Sequence, residues 1–269
     1  MQVFPRPESP RIMVVANQKG GVGKTTSAVN IATALALGNQ RVLLVDIDPQ
    51  GNATTAMSVE QTHGIPGTYE VLLAGDPIEQ HLVPSPHSDA LWVLPASIEL
   101  ASAELELVNI AGRERKLRDA LQRYLAKNEI DYVIIDCPPS LGLLTLNALV
   151  AATEIMVPIQ AEYYALEGLT QLLRTINKVK SGLNDKLELS TVLVTMYDGR
   201  NNLAREVAAE VDNHFPKQTL KTRIPRSVRV AEAPSYGQSV ITFQPNSPGA
   251  YAYIRAAAEI ALNGFSEEK

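Results

Sequence analysis

One cysteine, Cys137, stands in 269 residues. It excludes an intramolecular disulfide, and a lone thiol cannot by itself build a metal or iron–sulfur site. No apolar run approaches the roughly 18 residues needed to cross a bilayer. The first eleven residues carry Pro5, Pro7, Pro10, Arg6, Glu8 and Arg11 where a secretory leader would be apolar. A cytoplasmic protein is expected. Repeats, low-complexity tracts and a linker long enough to separate a second domain are also missing. Excess positive charge is absent too: the net charge is −5, so any affinity for nucleic acid has to be local.

What is there is a chain with 45% hydrophobic residues, enough to bury a full core. Short apolar, β-branched runs at Ile12–Ala16, Val42–Asp46, Leu91–Leu94, Tyr132–Asp136, Glu154–Ile159, Thr191–Thr195 and Thr219–Ile224 read as strands. Helical patterns alternate with them: Thr25–Leu37, then Leu117, Leu121 and Leu125, then Leu169, Leu172, Ile176 and Val179, then Leu203, Val207, Val211 and Phe215. Those stripes are expected to be core. The fold class is α/β, a mostly parallel, doubly wound sheet with helices on both faces in a single domain over 12–265. Residues 1–11 are expected to be a disordered tail, and Val59–Ala90, punctuated by prolines and glycines, a surface excursion. Ligands of such sheets bind beyond the carboxyl ends of the strands.

Between the first strand and first helix lies Lys19-Gly20-Gly21-Val22-Gly23-Lys24-Thr25-Thr26. This is the context a phosphate-binding loop requires. Glycines let successive backbone N–H groups curl around phosphate oxygens, the helix N-terminus adds positive partial charge, Lys24 can reach the β- and γ-phosphates, and the Thr25 hydroxyl can ligate Mg²⁺. Gln18 occupies the place of the usual first glycine, and Lys19 adds a second lysine.

Two further acidic segments end apolar strands: Asp46-Ile47-Asp48-Pro49-Gln50-Gly51-Asn52, and Asp136-Cys137-Pro138-Pro139-Ser140. A carboxylate there can hold Mg²⁺ or its water, or orient an attacking water. Asp136 fits the Walker B role, which makes it a metal candidate with Thr25 and Asp48. From Arg200 to Arg229, seven cations face three acids, a local excess of +4.

The pattern KGGxGKT, the segment DxDPQGN, Asp136–Gly142, Glu162–Gly168 and Ile224–Ser235 together resemble the ParA/Soj family of chromosome- and plasmid-partitioning ATPases, which have a deviant Walker A loop. The resemblance spans nearly all of the chain beyond Arg11. It implies an ATPase using ATP and Mg²⁺, with Lys19 reaching across an ATP-dependent homodimer to the partner's phosphates. A phosphate contact within its own subunit is the alternative for Lys19. It also implies that Asp48 serves hydrolysis, that Asp46 supports the phosphate loop and the Mg²⁺ shell, and that Pro225 and Arg226 lie near the adenine. Arg200 and Arg229 would grip double-stranded DNA without sequence preference; without the resemblance they would read as solvated charge. A ParB/Spo0J-type centromere-binding protein is the implied partner, and the nucleoid the implied location.

Neighbouring families are set apart by what is missing. A nitrogenase iron protein needs more cysteine than Cys137. A MinD-like cell-division ATPase needs a basic amphipathic tail, and Gly249–Lys269 has only Arg255 and Lys269 as cations, so no membrane partner is expected. Longer plasmid-partition ATPases carry an N-terminal DNA-reading domain. A ligase of the dethiobiotin synthetase sort would not need the basic segment, and a non-enzymatic DNA-binding adaptor would not need Lys24, Thr25, Asp48 and Asp136. The alternative reading is a ParA-like ATPase that positions a protein cargo, or a MinD-like cell-division ATPase.

Overall fold

The computed structural model of the chain describes residues 3–59, 65–162 and 165–263. One sheet holds β1 (Arg11–Val15), β2 (Val42–Asp46), β3 (Val83–Pro84), β4 (Leu91–Leu94), β5 (Tyr132–Asp136), β6 (Glu154–Gln160) and β7 (Glu188–Thr195). The spatial order is β3-β4-β2-β5-β1-β6-β7. All pairs are parallel except β3 with β4 at the edge.

Successive side chains of a strand point to opposite faces, and here both faces are covered. Leu43 and Val45 of β2, Val133 and Ile135 of β5, and Ile155 and Val157 of β6 enter one core. Val42, Leu44, Tyr132, Ile134 and Met156 enter the other. Burial on both sides is the reason these strands read as unbroken apolar runs.

The helices are α1 (Lys24–Leu37), α2 (Asn52–Ala56), α3 (Thr68–Leu73), α4 (Leu100–Leu107), α5 (Lys116–Leu125), α6 (Leu143–Ala151), α7 (Ala165–Gly182), α8 (Asn202–His214), α9 (Val228–Glu232), α10 (Val240–Phe243) and α11 (Pro248–Asn263). Leu100, Leu121, Leu149 and Leu172 tie α4 to α7 into the first core. Ala28, Ile31 and Leu35 of α1 meet Tyr253, Ala257 and Ile260 of α11 in the second. Alanine at Ala28, Ala32 and Ala36 lets α1 lie close between sheet and α11, and it is buried along nearly its whole length.

Four expectations need correction. Thr219–Ile224 is not a sheet strand; only isolated bridges join Val192 to Thr219 and Tyr197 to Pro225. Glu259 takes the Lys221 and Thr222 backbone N–H groups at 2.7 and 2.9 Å, donors that a neighbouring strand would otherwise have used. Among its described residues, Val59–Ala90 is packed rather than excursive, since α3 and the following turn bury Val71, Leu72 and Ile78. The expected tail is ordered from Val3 to Arg11. The Phe4 ring lies where a Cβ on Gly38 would stand, 2.3 Å away, and Phe4 exchanges backbone and side-chain bonds with Gly38 and Gln40 at 2.9 Å. Leu203, placed on a core stripe, is exposed on α8, whereas Val207 and Val211 of that stripe are buried.

Candidate functional site

Beyond Val15 the chain turns over the carboxyl edge of the sheet and enters α1 at Lys24. Gly21 and Gly23 hold φ of +74° and +85°, which a Cβ would make costly. Nothing lies within 4 Å of the position a Cβ would take on Gly20 or Gly21, so one side of the loop is open. α1 has no side-chain cap and no acid in its first turn. Its N-terminal N–H groups and positive dipole end are therefore left for an anion.

Lys24 is buried, and its Nζ donates to the Lys19 carbonyl at 3.2 Å. Desolvation lowers its pKa, while the charges of Asp136, Cys137 and Asp48 oppose that shift. Such an ammonium gains from any anion brought to the loop. Lys19 is half-exposed and pairs with Glu162 of its own subunit at 2.6 Å.

Neighbouring strands brace the loop through residues that the sequence pattern did not single out. Thr195 Oγ1, at the end of β7, donates to the Val22 carbonyl at 2.8 Å. Asn17 Nδ2 donates to the Pro158 carbonyl of β6 at 2.8 Å, and its Oδ1 accepts from the Lys19 N–H at 3.0 Å. In α1, Ser27 Oγ and the Tyr253 hydroxyl lie 3.4 Å apart. The available signal was positional: polar residues that end apolar strands beside a phosphate loop.

Strand parity aims the acids. Val42 and Leu44 face the α1 side, and so does Asp46 two residues on; Tyr132 and Ile134 carry Asp136 to the same side. Asp46 and Asp136 are register partners in β2 and β5. Asp46 differs from the expected supporter of the phosphate loop, because its oxygens are taken by the Asp48 N–H at 3.1 Å, the Thr54 N–H at 2.8 Å and the Thr54 hydroxyl at 2.7 Å. What it holds is the Asp48–Thr54 segment. Burial raises its pKa to about 6 against those bonds.

Asp136 is fully buried, and neither carboxylate oxygen has a hydrogen-bond partner. Burial first, then the Asp46 charge, pushes its pKa well above the usual carboxylate range, although the Thr25 hydroxyl and Lys24 favour the charged form. Among the described residues no three His, Cys, Asp or Glu side chains gather to hold a metal by themselves. A hard cation here would complete its shell with water and phosphate oxygens, the usual Mg²⁺ arrangement. Two unpartnered buried oxygens beside a hydroxyl and below an open glycine loop fit that group.

Asp48 is nearly buried, with Oδ1 accepting from the Gln50 N–H at 3.0 Å. It borders a cleft of about 280 Å³ lined also by Gln50, Ala101, Glu104, Pro138 and Ser140. Pro225 and Arg226 follow β7 at the same edge of the sheet, where Arg226 N–H donates to the Tyr197 carbonyl at 3.3 Å.

The basic segment is less basic in three dimensions than along the chain. Arg200 is held by Asp198 at 2.9 Å and Arg229 by Glu232 at 2.9 Å. Both acids fall just outside the stretch counted as +4, and including them leaves seven cations against five acids, +2. Arg223 pairs with Asp212. Arg200 and Arg229 nonetheless keep exposed guanidiniums, at 92% and 58%. Tyr163 and Tyr164, which contribute to the resemblance, lie outside the described residues. Among the described residues no helix is long and apolar enough to cross a membrane.

A family model described as an AAA domain matches residues 10–189. The chromosome partitioning protein ParA of Myxococcus xanthus is 50% identical over 93% of this chain and 87% of its own. The sporulation initiation inhibitor protein Soj of Bacillus subtilis is 48% identical over 94% of this chain and 99% of its own. Among solved structures, one named as cobyrinic acid a,c-diamide synthase from Mycobacterium smegmatis, with bound ADP and magnesium, is 39% identical with a TM-score of 0.80, covering 93% of this chain and 94% of that one. With the glycine loop, the paired strand-end acids and relatives this similar over nearly its whole length, the chain belongs to the ParA/Soj family of chromosome-partitioning ATPases.

Proposed function

We propose that the chain binds ATP with Mg²⁺ on the Lys19–Thr26 loop, closes as a homodimer over two nucleotides, and holds double-stranded DNA without sequence preference in that state. Hydrolysis, stimulated by a ParB-type centromere-binding protein, then releases it. The observation that carries the reading is Asp136, whose two buried oxygens have no partner beside Lys24 and Thr25. A carboxylate desolvated this way costs stability unless something completes the site.

Thr25 and Asp136, with Asp48 nearby, would hold Mg²⁺, which would neutralise charge on the phosphates. Lys24 exchanges the Lys19 carbonyl for the β- and γ-phosphate oxygens, and the Gly20–Gly23 amides cradle them. Asp48, fixed by Asp46 through its own N–H, orients the attacking water. Lys19 leaves Glu162 for the partner subunit's phosphate. Pro225 and Arg226 flank the adenine.

A single copy with a local excess of +2 would hold DNA weakly at physiological salt, whereas two copies double the phosphate contacts and steepen the salt dependence. Phosphate release measured with protein alone, with nonspecific DNA and with the centromere-binding partner tests the reading. Stimulation only when both are present supports it, and a rate indifferent to both contradicts it.

A further inference from the structure

The buried face of α4 carries Leu100, Ala103 and Leu107, yet its outward face is apolar as well. Ile98 is 55% exposed, Leu105 76% and Val108 48%, and Ala101 between them is exposed too. Ala101 and Leu105 share one side of the helix, and Ile98 in the turn before it and Val108 at its C-cap extend that line at both ends. Leu141, also exposed, sits alongside, because Glu104 occupies the space that a Cβ on Gly142 would take. Isolated exposed leucines need no explanation; an aligned set does.

We infer that this stripe is a self-complementary contact between two copies of the chain, α4 packing antiparallel on α4 of the partner subunit. The spacing of Ile98, Ala101, Leu105 and Val108 is three, four, three. It reads the same in either direction, as a two-fold interface requires: Ile98 meets the partner's Val108, and Ala101 meets the partner's Leu105. Charge agrees with that direction. Glu99 stands just before the helix and Glu104 past its middle, whereas toward and beyond its C-terminal end Arg113, which donates to the Val108 carbonyl, Arg115 and Lys116 outnumber Glu106 and Glu114. Antiparallel pairing sets each Glu99 toward the net positive segment of the other copy.

Continuity ties the stripe to the nucleotide site. Ala101 and Glu104 line the same cleft as Asp48 and Pro138. Four side chains of this size cover far less than the roughly 800 Å² per partner of a stable interface, so the stripe cannot hold two copies alone. It supplies apolar contact only once the nucleotide faces have closed, and in that respect the inference rests on the ATP-dependent dimer proposed above.

Sedimentation velocity with a non-hydrolysable ATP analogue tests it on the full chain, comparing wild type with Leu105→Glu. The variant's circular dichroism and analogue affinity as a monomer should match wild type, because Leu105 is exposed in one copy. Its dimer dissociation constant should rise by at least roughly tenfold. A mixture of Ala101→Cys and Leu105→Cys chains should form a bismaleimide cross-link with the analogue faster than either chain alone, whose like positions stand about 6 Å further apart along the axis; native Cys137 is buried. Wild type and Leu105→Glu dimerising equally would overturn the inference while leaving the dimer intact. Wild type staying monomeric would overturn both.

Discussion

Asp46 and Asp136 stand side by side in register at the ends of two parallel strands, both fully buried, and their oxygens are used in opposite ways. Asp46 accepts three hydrogen bonds from Asp48 and Thr54, whereas Asp136 accepts none. One carboxylate is committed to structure, and the other is held ready at a stability cost.

That contrast gives the first prediction. Asp46→Asn should destabilise the chain by about 1–3 kcal/mol, since an amide cannot accept all three bonds. Asp136→Asn should instead raise the melting temperature of the nucleotide-free protein while weakening Mg²⁺-dependent ATP binding at least tenfold. Thermal melts and nucleotide titrations of the two variants check both halves.

The same pair sets a pH dependence. Asp46 has its pKa raised from 3.8 to about 6 and Asp136 is raised further in the same direction, so the folded chain takes up protons more readily than the unfolded one. Their contribution to stability is fully present below about pH 3.8 and falls as the pH rises, that of Asp46 being lost as the pH climbs through about 6. The margin by which the melting temperature of Asp136→Asn exceeds that of wild type should accordingly be smaller at pH 5 than at pH 8. A constant difference across that range would show that Asp136 does not titrate as described.

Much of this was legible in the sequence. The strand ends at Asp46 and Asp136 and the start of α1 were readable because buried parallel strands and the glycine loop leave strong local patterns. What was missed depends on partners distant in sequence: Thr195 bracing Val22 across 173 positions, Phe4 covering Gly38, and Asp198 and Glu232 quenching Arg200 and Arg229. Thr219–Ile224 read as a strand from its apolar and β-branched residues, but Glu259 takes its Lys221 and Thr222 amides, and no window on that segment contains Glu259.

A prediction about DNA follows from the quenching acids. Arg200→Glu or Arg229→Glu should weaken binding to unrelated duplexes about equally and flatten the salt slope. Asp198→Asn should do the reverse, because it frees the Arg200 guanidinium without adding a cation. Fluorescence anisotropy over a salt series reads all three, and an Asp198→Asn protein with unchanged affinity would remove Arg200 from the DNA surface.

Hydrolysis and nucleotide holding should separate at Asp48. Asp48→Ala ought to bind ATP with near wild-type affinity yet lose at least 10²-fold in turnover, since Lys24, Thr25 and Asp136 remain. The expected product is a dimer that persists after ATP addition. Phosphate release at the wild-type rate would move suspicion from Asp48 to another group in the cleft.

The most direct test of the whole account is retention of the wild-type chain on nonspecific double-stranded DNA with ATP, with ADP and with no nucleotide, run beside Lys24→Ala. Retention with ATP alone, absent from the Lys24→Ala chain in every condition, is the predicted result. Equal retention in all three nucleotide conditions, or a Lys24→Ala chain that binds as wild type does, would contradict the claim that the phosphate loop governs the grip on DNA.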